Sequence, residues 1–115
     1  MQNSNEDLKN QKCVPCKIET KPLKDADLVP LTAQLPIGWE VVNEHHLEKT
    51  YKFKNFKLAL DFVNKVGALA EELGHHPEID FGWGRVKLSV WTHKINGLHK
   101  NDFIFAMRAD ALYLY

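Results

Sequence analysis

Apolar residues recur at two periods along the chain, and the periods divide it into elements. From Asn55 to Leu73, Phe56, Ala59, Val63, Val66, Ala70 and Leu73 fall three and four residues apart, the repeat of a helix with one buried face. Asn55 stands before that run as a cap, and Gly74 stands after it as a C-cap. Leu47 to Lys54 alternates instead, with Leu47, Lys49, Tyr51 and Phe53 on one face and Glu48, Thr50, Lys52 and Lys54 on the other. Trp83 to Trp91 reads as another strand: Val86, Leu88 and Val90 face one way, Arg85, Lys87, Ser89 and Trp91 the other, and His93 continues the second row. A shorter strand is expected over Trp39 to Asn43, joined to the next by a turn over Asn43 to His46, so His45-His46 reads as a solvated turn.

Two further helices frame these elements. Leu28, Leu31 and Leu35 share a helical face behind Asp27, with Pro30 in the first turn and Pro36 and Gly38 as the stop. After a turn at Lys94-Ile95-Asn96-Gly97, a last helix is expected from Lys100 to Leu112, one side of it marked by Phe103, Ala106, Met107 and Asp110. Residues 1–26 are polar and of mixed charge, broken by Pro15 and Pro22, and are expected to form a flexible tail. Residues 27–115 are expected to form one domain. The fold class that follows is α+β, a small antiparallel sheet of about four strands with helices packed on one face.

Charge narrows the function classes. The chain of 115 residues carries 15 Lys+Arg against 15 Asp+Glu, without the basic surplus of a phosphate-backbone binder. No apolar run reaches the roughly 20 residues of a membrane-spanning helix, and the opening MQNSNEDLKN has no signal core. Cys13 and Cys16 are too few for a disulfide scaffold, so a reducing, cytoplasmic setting is expected.

The candidate chemistry lies in the histidines. There are 6, placed as His45-His46, His75-His76, His93 and His99. Imidazole, with an ordinary pKa near ~6.5, both gives and takes protons at neutral pH. His75 and His76 are held between Gly74 and Pro77 just past a helix end, where neighbouring side chains diverge and can address two faces of one substrate. Glu71 precedes His75 by four residues, one helical turn, and is placed to orient an imidazole. Asp102 opens the last helix, where a negative charge also serves the helix terminus.

The segment ELGHHPEIDFGWGRVKLSVWTHKINGLHKND carries Glu71, His75-His76-Pro77, Trp83, His93 and Asp102 at spacings that resemble the signature of the pterin-4a-carbinolamine dehydratases. The resemblance runs from about Pro22 through Ala109. It implies a hydro-lyase that dehydrates 4a-hydroxytetrahydrobiopterin to the quinonoid dihydropterin in tetrahydrobiopterin recycling, without metal or organic cofactor. It further implies that His75, His76 and His93 are the catalytic triplet. His76 and His93 would transfer protons, while His75 would bind substrate or serve its other face. Glu71 and Asp102 would anchor substrate or support the triplet, the stretch Ser89, Val90, Trp91 and Thr92 would meet the pterin edge, and Trp83 would line the pocket. Two positions depart from the family's pattern. His99 stands where a Thr or Ser usually caps the last helix, so that helix is expected to start differently, and Pro30 is unusual within the first helix.

Other classes compete with this one. A zinc site wants about four ligands, and Cys13-x-x-Cys16 supplies only two. The triplet can hold a metal in principle, though the resemblance explains those residues without one, and a metal shared between subunits is the surviving form. The resemblance also implies a homodimer or homotetramer, with Leu47 to Lys54 or Trp83 to Trp91 as the exposed edge. Animal relatives also act as dimerisation cofactors of a homeodomain transcription factor, a surface role without direct nucleic-acid binding. A related pterin, including a molybdopterin-linked role, is the alternative within the enzyme class.

Overall fold

The computed structural model describes residues 21–114. The expected flexible tail falls largely on residues 1–20, outside the described residues, and so do Cys13 and Cys16. From Leu23 the chain is already tied to the domain, its amide donating to the Leu98 carbonyl at 2.9 Å. A turn of 3-10 helix at Asp25–Asp27 leads into a short helix α1, Leu28–Thr32, which buries Leu28 and Leu31. Asp27 precedes it but gives no side-chain cap, being itself helical in backbone.

Strands β1 (Glu40–Val42), β2 (His46–Lys52), β3 (Glu78–Gly82) and β4 (Arg85–Val90) form a single antiparallel sheet in the order β1-β2-β4-β3. Between β2 and β3 runs helix α2, Phe56–Leu73, and after β4 comes helix α3, Lys100–Asp110. The alternation in β2 and β4 sorts as expected: Leu47, Lys49, Tyr51, Val86, Leu88 and Val90 are buried together with Phe62, Val66 and Leu69 of α2 and Phe103, Ile104 and Ala106 of α3. The architecture is the α+β class, helices on one face of a four-stranded sheet.

Three expectations need correction. The strand read over Trp83 to Trp91 begins at Arg85, because Trp83 and Gly84 form the turn of a β3–β4 hairpin whose register pairs Gly82 with Arg85. The partner strand β3 packs Ile79 and Phe81 against the core and alternates them with exposed Glu78 and Asp80. A Cβ on Gly84 would stand 2.8 Å from the Phe53 carbonyl oxygen, which fixes glycine at this turn. Second, the segment Trp83 to Trp91 is not an exposed edge, since β4 is paired on both sides, and in the Leu47 to Lys54 segment β2 is covered by β1 over His46–Glu48, while Lys49–Lys52 pairs with β4 alone. Third, α3 starts at Lys100 with histidine as its cap. His99 Nδ1 accepts from the Asn101 amide at 3.1 Å, and Asp102 reaches back to the His99 amide at 2.9 Å. The cap works because burial lowers the His99 pKa from its ordinary 6.5, against the raising influence of Asp102, leaving an imidazole nitrogen free to accept.

Lys49 lies on the buried face and is compensated there. Its ammonium donates to Asp110 Oδ1 at 2.7 Å and to the Ile37 carbonyl at 2.6 Å, and the Tyr51 hydroxyl donates to the same Asp110 oxygen at 2.6 Å. This cluster ties the last turn of α3 to the middle of the sheet.

Candidate active site

The histidine pair owes its position to the end of α2. Gly74 adopts a left-handed conformation, φ 64° and ψ 31°, and the amides of Gly74 and His75 both bond to the Ala70 carbonyl. The helix therefore stops abruptly, and the next residues leave it in an extended direction toward β3. His75 turns inward and His76 outward, with side chains 12% and 60% exposed. Each meets its own carboxylate: His75 Nε2 lies 2.5 Å from Asp102 Oδ1, and His76 Nε2 lies 2.5 Å from Glu71 Oε2. Glu71 thus serves His76, whereas the spacing of one turn had paired it with His75. The left-handed residue breaks the helical phase, so the four-residue rule no longer applies across it.

Asp102 is wholly buried and gathers three donors. One oxygen takes His75; the other takes the Thr92 hydroxyl at 2.8 Å and the His99 amide at 2.9 Å. A chain of hydrogen bonds therefore runs from His75 through Asp102 to Thr92, the residue before His93. β4 ends at Val90, so His93 is not on the strand itself; it opens a 3-10 turn, His93–Ile95, that Asn96 closes in a left-handed conformation. The Thr92 amide and carbonyl both bond to Gly97, which folds this turn back on itself. The His93 ring lies flat on Trp91, with centroids 4.5 Å apart and planes 8° from parallel.

The fold thus brings His75, His76, Glu71, Trp91, Thr92, His93 and Asp102 to the end of the sheet where β3 begins and β4 finishes. Ser89 is near this end, paired to Glu78, the first residue of β3. Trp83 is not with them. It occupies the hairpin turn at the other end of the six residues of β4 and is 68% exposed. The pattern of residues did not reveal the stack of His93 on Trp91, nor the company that Trp91 keeps on its other side. The rings of His45 and His46 lie 5.1 Å and 5.9 Å from it, so this pair is a packed, part-buried element and not the solvated turn expected of it.

Two imidazoles, each with Nε2 turned to a carboxylate, present Nδ1 as the site that accepts or delivers a proton. A third imidazole on an aromatic support stands beyond the Asp102–Thr92 link. Among the described residues no group of three or more His, Cys, Asp or Glu is arranged to hold a metal ion. An open cleft of about 270 Å³ lined by Ile37, Gly38, Lys49, Thr50, Tyr51, Lys52 and Tyr113 includes none of these site residues. No helix among the described residues is long and apolar enough to cross a membrane.

Fold and site together define a small α+β protein with a histidine–carboxylate cluster suited to proton transfer. The chain belongs to the pterin 4 alpha carbinolamine dehydratase family, whose profile matches residues 21–112. A relative in Rubrobacter xylanophilus, provisionally named pterin-4-alpha-carbinolamine dehydratase, is 57% identical over 106 residues, covering 92% of this chain and 98% of its own. One in Alkaliphilus metalliredigens, provisionally named in the same way, is 48% identical over 103 residues, 90% of this chain and 93% of its own. Among solved structures, a transcriptional coactivator/pterin dehydratase from Brucella melitensis superposes with a TM-score of 0.74 at 29% identity, over 80% of this chain and 98% of the other. A pterin dehydratase-like protein described as a RuBisCO assembly factor of the alpha-carboxysome gives a TM-score of 0.57 at 28% identity, over 65% of this chain and 88% of the other.

Proposed function

We propose that this protein is a hydro-lyase that dehydrates a pterin-4a-carbinolamine, with His75, His76 and His93 as its catalytic residues. The observation that carries the reading is the divergent His75-His76 pair, each ring held through Nε2 by a separate carboxylate, one buried and one exposed. Dehydration needs one group that gives a proton and one that takes a proton. The acid delivers its proton to the C4a hydroxyl, the C–O bond breaks and water departs. The base takes the proton of the adjacent ring nitrogen as the C=N bond forms. Imidazoles suit both roles near neutral pH. His76 and His93, the more exposed of the three, are assigned to these transfers, and His75, tethered to buried Asp102, to substrate binding. Trp91 supports His93, and Glu71 sets the tautomer of His76. The natural substrate is read as 4a-hydroxytetrahydrobiopterin, in recycling of the tetrahydropterin.

The test is a rapid-mixing assay with chemically generated 4a-hydroxytetrahydropterin, following the quinonoid product by ultraviolet absorbance. Wild type is expected to accelerate dehydration, and His76→Ala and His93→Ala to lose about 10²–10⁴-fold in rate. A folded wild type without acceleration would overturn the reading. The two structural relatives, one described as a transcriptional coactivator/pterin dehydratase and one as an assembly factor, would then favour a binding role.

A further inference from the structure

His93 differs from the other two site histidines in what holds its ring. His75 and His76 each meet a carboxylate, whereas among the described residues the His93 ring is held by its flat stack on Trp91. His93 is exposed and opens the short turn His93–Ile95. The base of the turn is closed by Thr92 and Gly97, whose backbones bond to each other at 2.9 Å and 3.4 Å. Its far end is Asn96, left-handed at φ 48° and ψ 49°, with its amide donating to the His93 carbonyl at 3.1 Å. A ring at the start of so short a turn moves whenever Trp91 or Asn96 moves.

His45 touches both of them. Its Nε2 donates to Asn96 Oδ1 at 2.9 Å, since an amide oxygen only accepts, and its ring lies 5.1 Å from that of Trp91. Trp91 precedes the His93 turn and Asn96 ends it, so one imidazole grips both ends of the segment that carries His93.

His45 is itself fixed. Its amide donates to the Val42 carbonyl at 2.9 Å, and Asn43 and Glu44 between them both have φ of 53°, as a primed hairpin turn requires. Glu44 Oε2 accepts from the Asp25 amide at 3.2 Å, which ties the turn to the segment before α1. His45 Nδ1 meets His46 Nδ1 at 3.1 Å, and His46 Nε2 donates to Glu48 Oε2 at 3.3 Å, which anchors the pair on β2. An exposed hydrogen bond between two mobile side chains holds little. This one joins two tight turns, so little freedom is lost when it forms.

We propose that His45 is a positioning residue for His93: from the β1–β2 turn it clamps Trp91 and Asn96 and so sets where the His93 ring stands. The proposal rests on the reading of His93 as a proton-transfer residue in the dehydration. His93 moves a proton while His75 binds substrate, so loss of the clamp falls on kcat and spares KM.

The test measures the His93 ring and the reaction separately, both on the full chain. An imidazole stacked on an indole is shielded by it, so the His93 ring protons of wild type are expected upfield of ordinary imidazole positions in NMR spectra. His45→Ala and Asn96→Gly, the second keeping the left-handed backbone, are each expected to move these signals toward ordinary positions. Each is also expected to lower kcat about 10–100-fold with KM changed less than about twofold. The double variant is expected to lose no more than His45→Ala alone, because both changes break one contact. His45→Gln, whose amide nitrogen stands where Nε2 stood, is expected to keep most of the rate. Should His45→Ala not fold, Asn96→Gly carries the test. The proposal is overturned if the His93 signals stay unmoved in these variants, if kcat is unchanged while wild type is active, or if the two losses multiply. A wild type that accelerates no dehydration overturns the reading of the site instead, and the ring signals alone then decide the clamp.

Discussion

His75 Nε2 and Asp102 Oδ1 stand 2.5 Å apart, and the carboxylate that makes this contact also caps α3 through the His99 amide. One side chain thus fixes an imidazole and starts a helix. Asp102→Asn keeps the shape but replaces one accepting oxygen by a donor, so it cannot satisfy His75, Thr92 and His99 together. We expect a rate loss of about tenfold or more in dehydration and a stability loss of about 1–3 kcal/mol. Kinetics and denaturant titration check the two effects separately.

Glu71 and His76 form the opposite case. Both are exposed, at 78% and 60%, so solvent screens their interaction. Glu71→Gln is expected to leave stability unchanged and to lower kcat by less than about tenfold, through loss of the contact that orients the His76 ring. An unchanged kcat in this variant would show that Glu71 does not position His76 for the reaction.

His99 makes stability depend on pH in a defined sense. Its folded pKa lies below 6.5 through burial, so below that pH the unfolded chain binds more protons than the folded one. Its contribution is fully present above 6.5 and is lost as the pH falls toward the folded value. His99→Asn, an uncharged cap, should flatten this part of the curve. Denaturant unfolding of both proteins on either side of that pH measures the difference in slope.

Two glycines of one helix should respond oppositely to alanine. Gly67 lies inside α2 with open space around it, and Gly67→Ala should stabilise by about 0.5–1 kcal/mol. Gly74 has open space too, but its φ of 64° penalises any Cβ. Gly74→Ala should destabilise by about 1–2 kcal/mol and displace the His75-His76 loop. Thermal unfolding gives both signs in one experiment.

The buried ion pair offers a fourth contrast. Asp110→Ala removes the carboxylate that both the Lys49 ammonium and the Tyr51 hydroxyl meet, and should cost about 3–5 kcal/mol. A drop in Tm with kcat retained at low temperature would separate this role from the site's.

What the residues alone disclosed follows from the range of each interaction. Helix α2 was legible because its periodicity, the Asn55 cap and the Gly74 stop are all local; Asn55 Oδ1 does accept from the Leu58 amide, at 2.9 Å. The faces of β2 and β4 were legible for the same reason. β3 escapes a local reading because aromatic Trp83 extends the apparent strand that follows, whereas Gly84 makes that position a turn. Edge and centre of the sheet could not be told apart, since β2 finds β4 only across the whole of α2. His75, His76, His93, Glu71 and Asp102 were named from their spacing, yet the assignment of carboxylates to histidines needed the left-handed turn at Gly74. Lys49 with Asp110, and His45 with Asn96, are separated by 61 and 51 residues, and nothing local announces either contact.

The strand order carries a kinetic implication. β1 with β2 and β3 with β4 are local hairpins, and such units form within about microseconds. The seam between β2 and β4 pairs Leu47 with Val90 and closes a long loop, so it is expected to form late. His45 and His46 arrive with the first hairpin, Trp91 and His93 with the second. The rings of His45 and His46 therefore reach Trp91 only when the seam zips shut, and their quenching of Trp91 fluorescence, followed in a chain with Trp39 and Trp83 replaced by phenylalanine, would time the last step of folding.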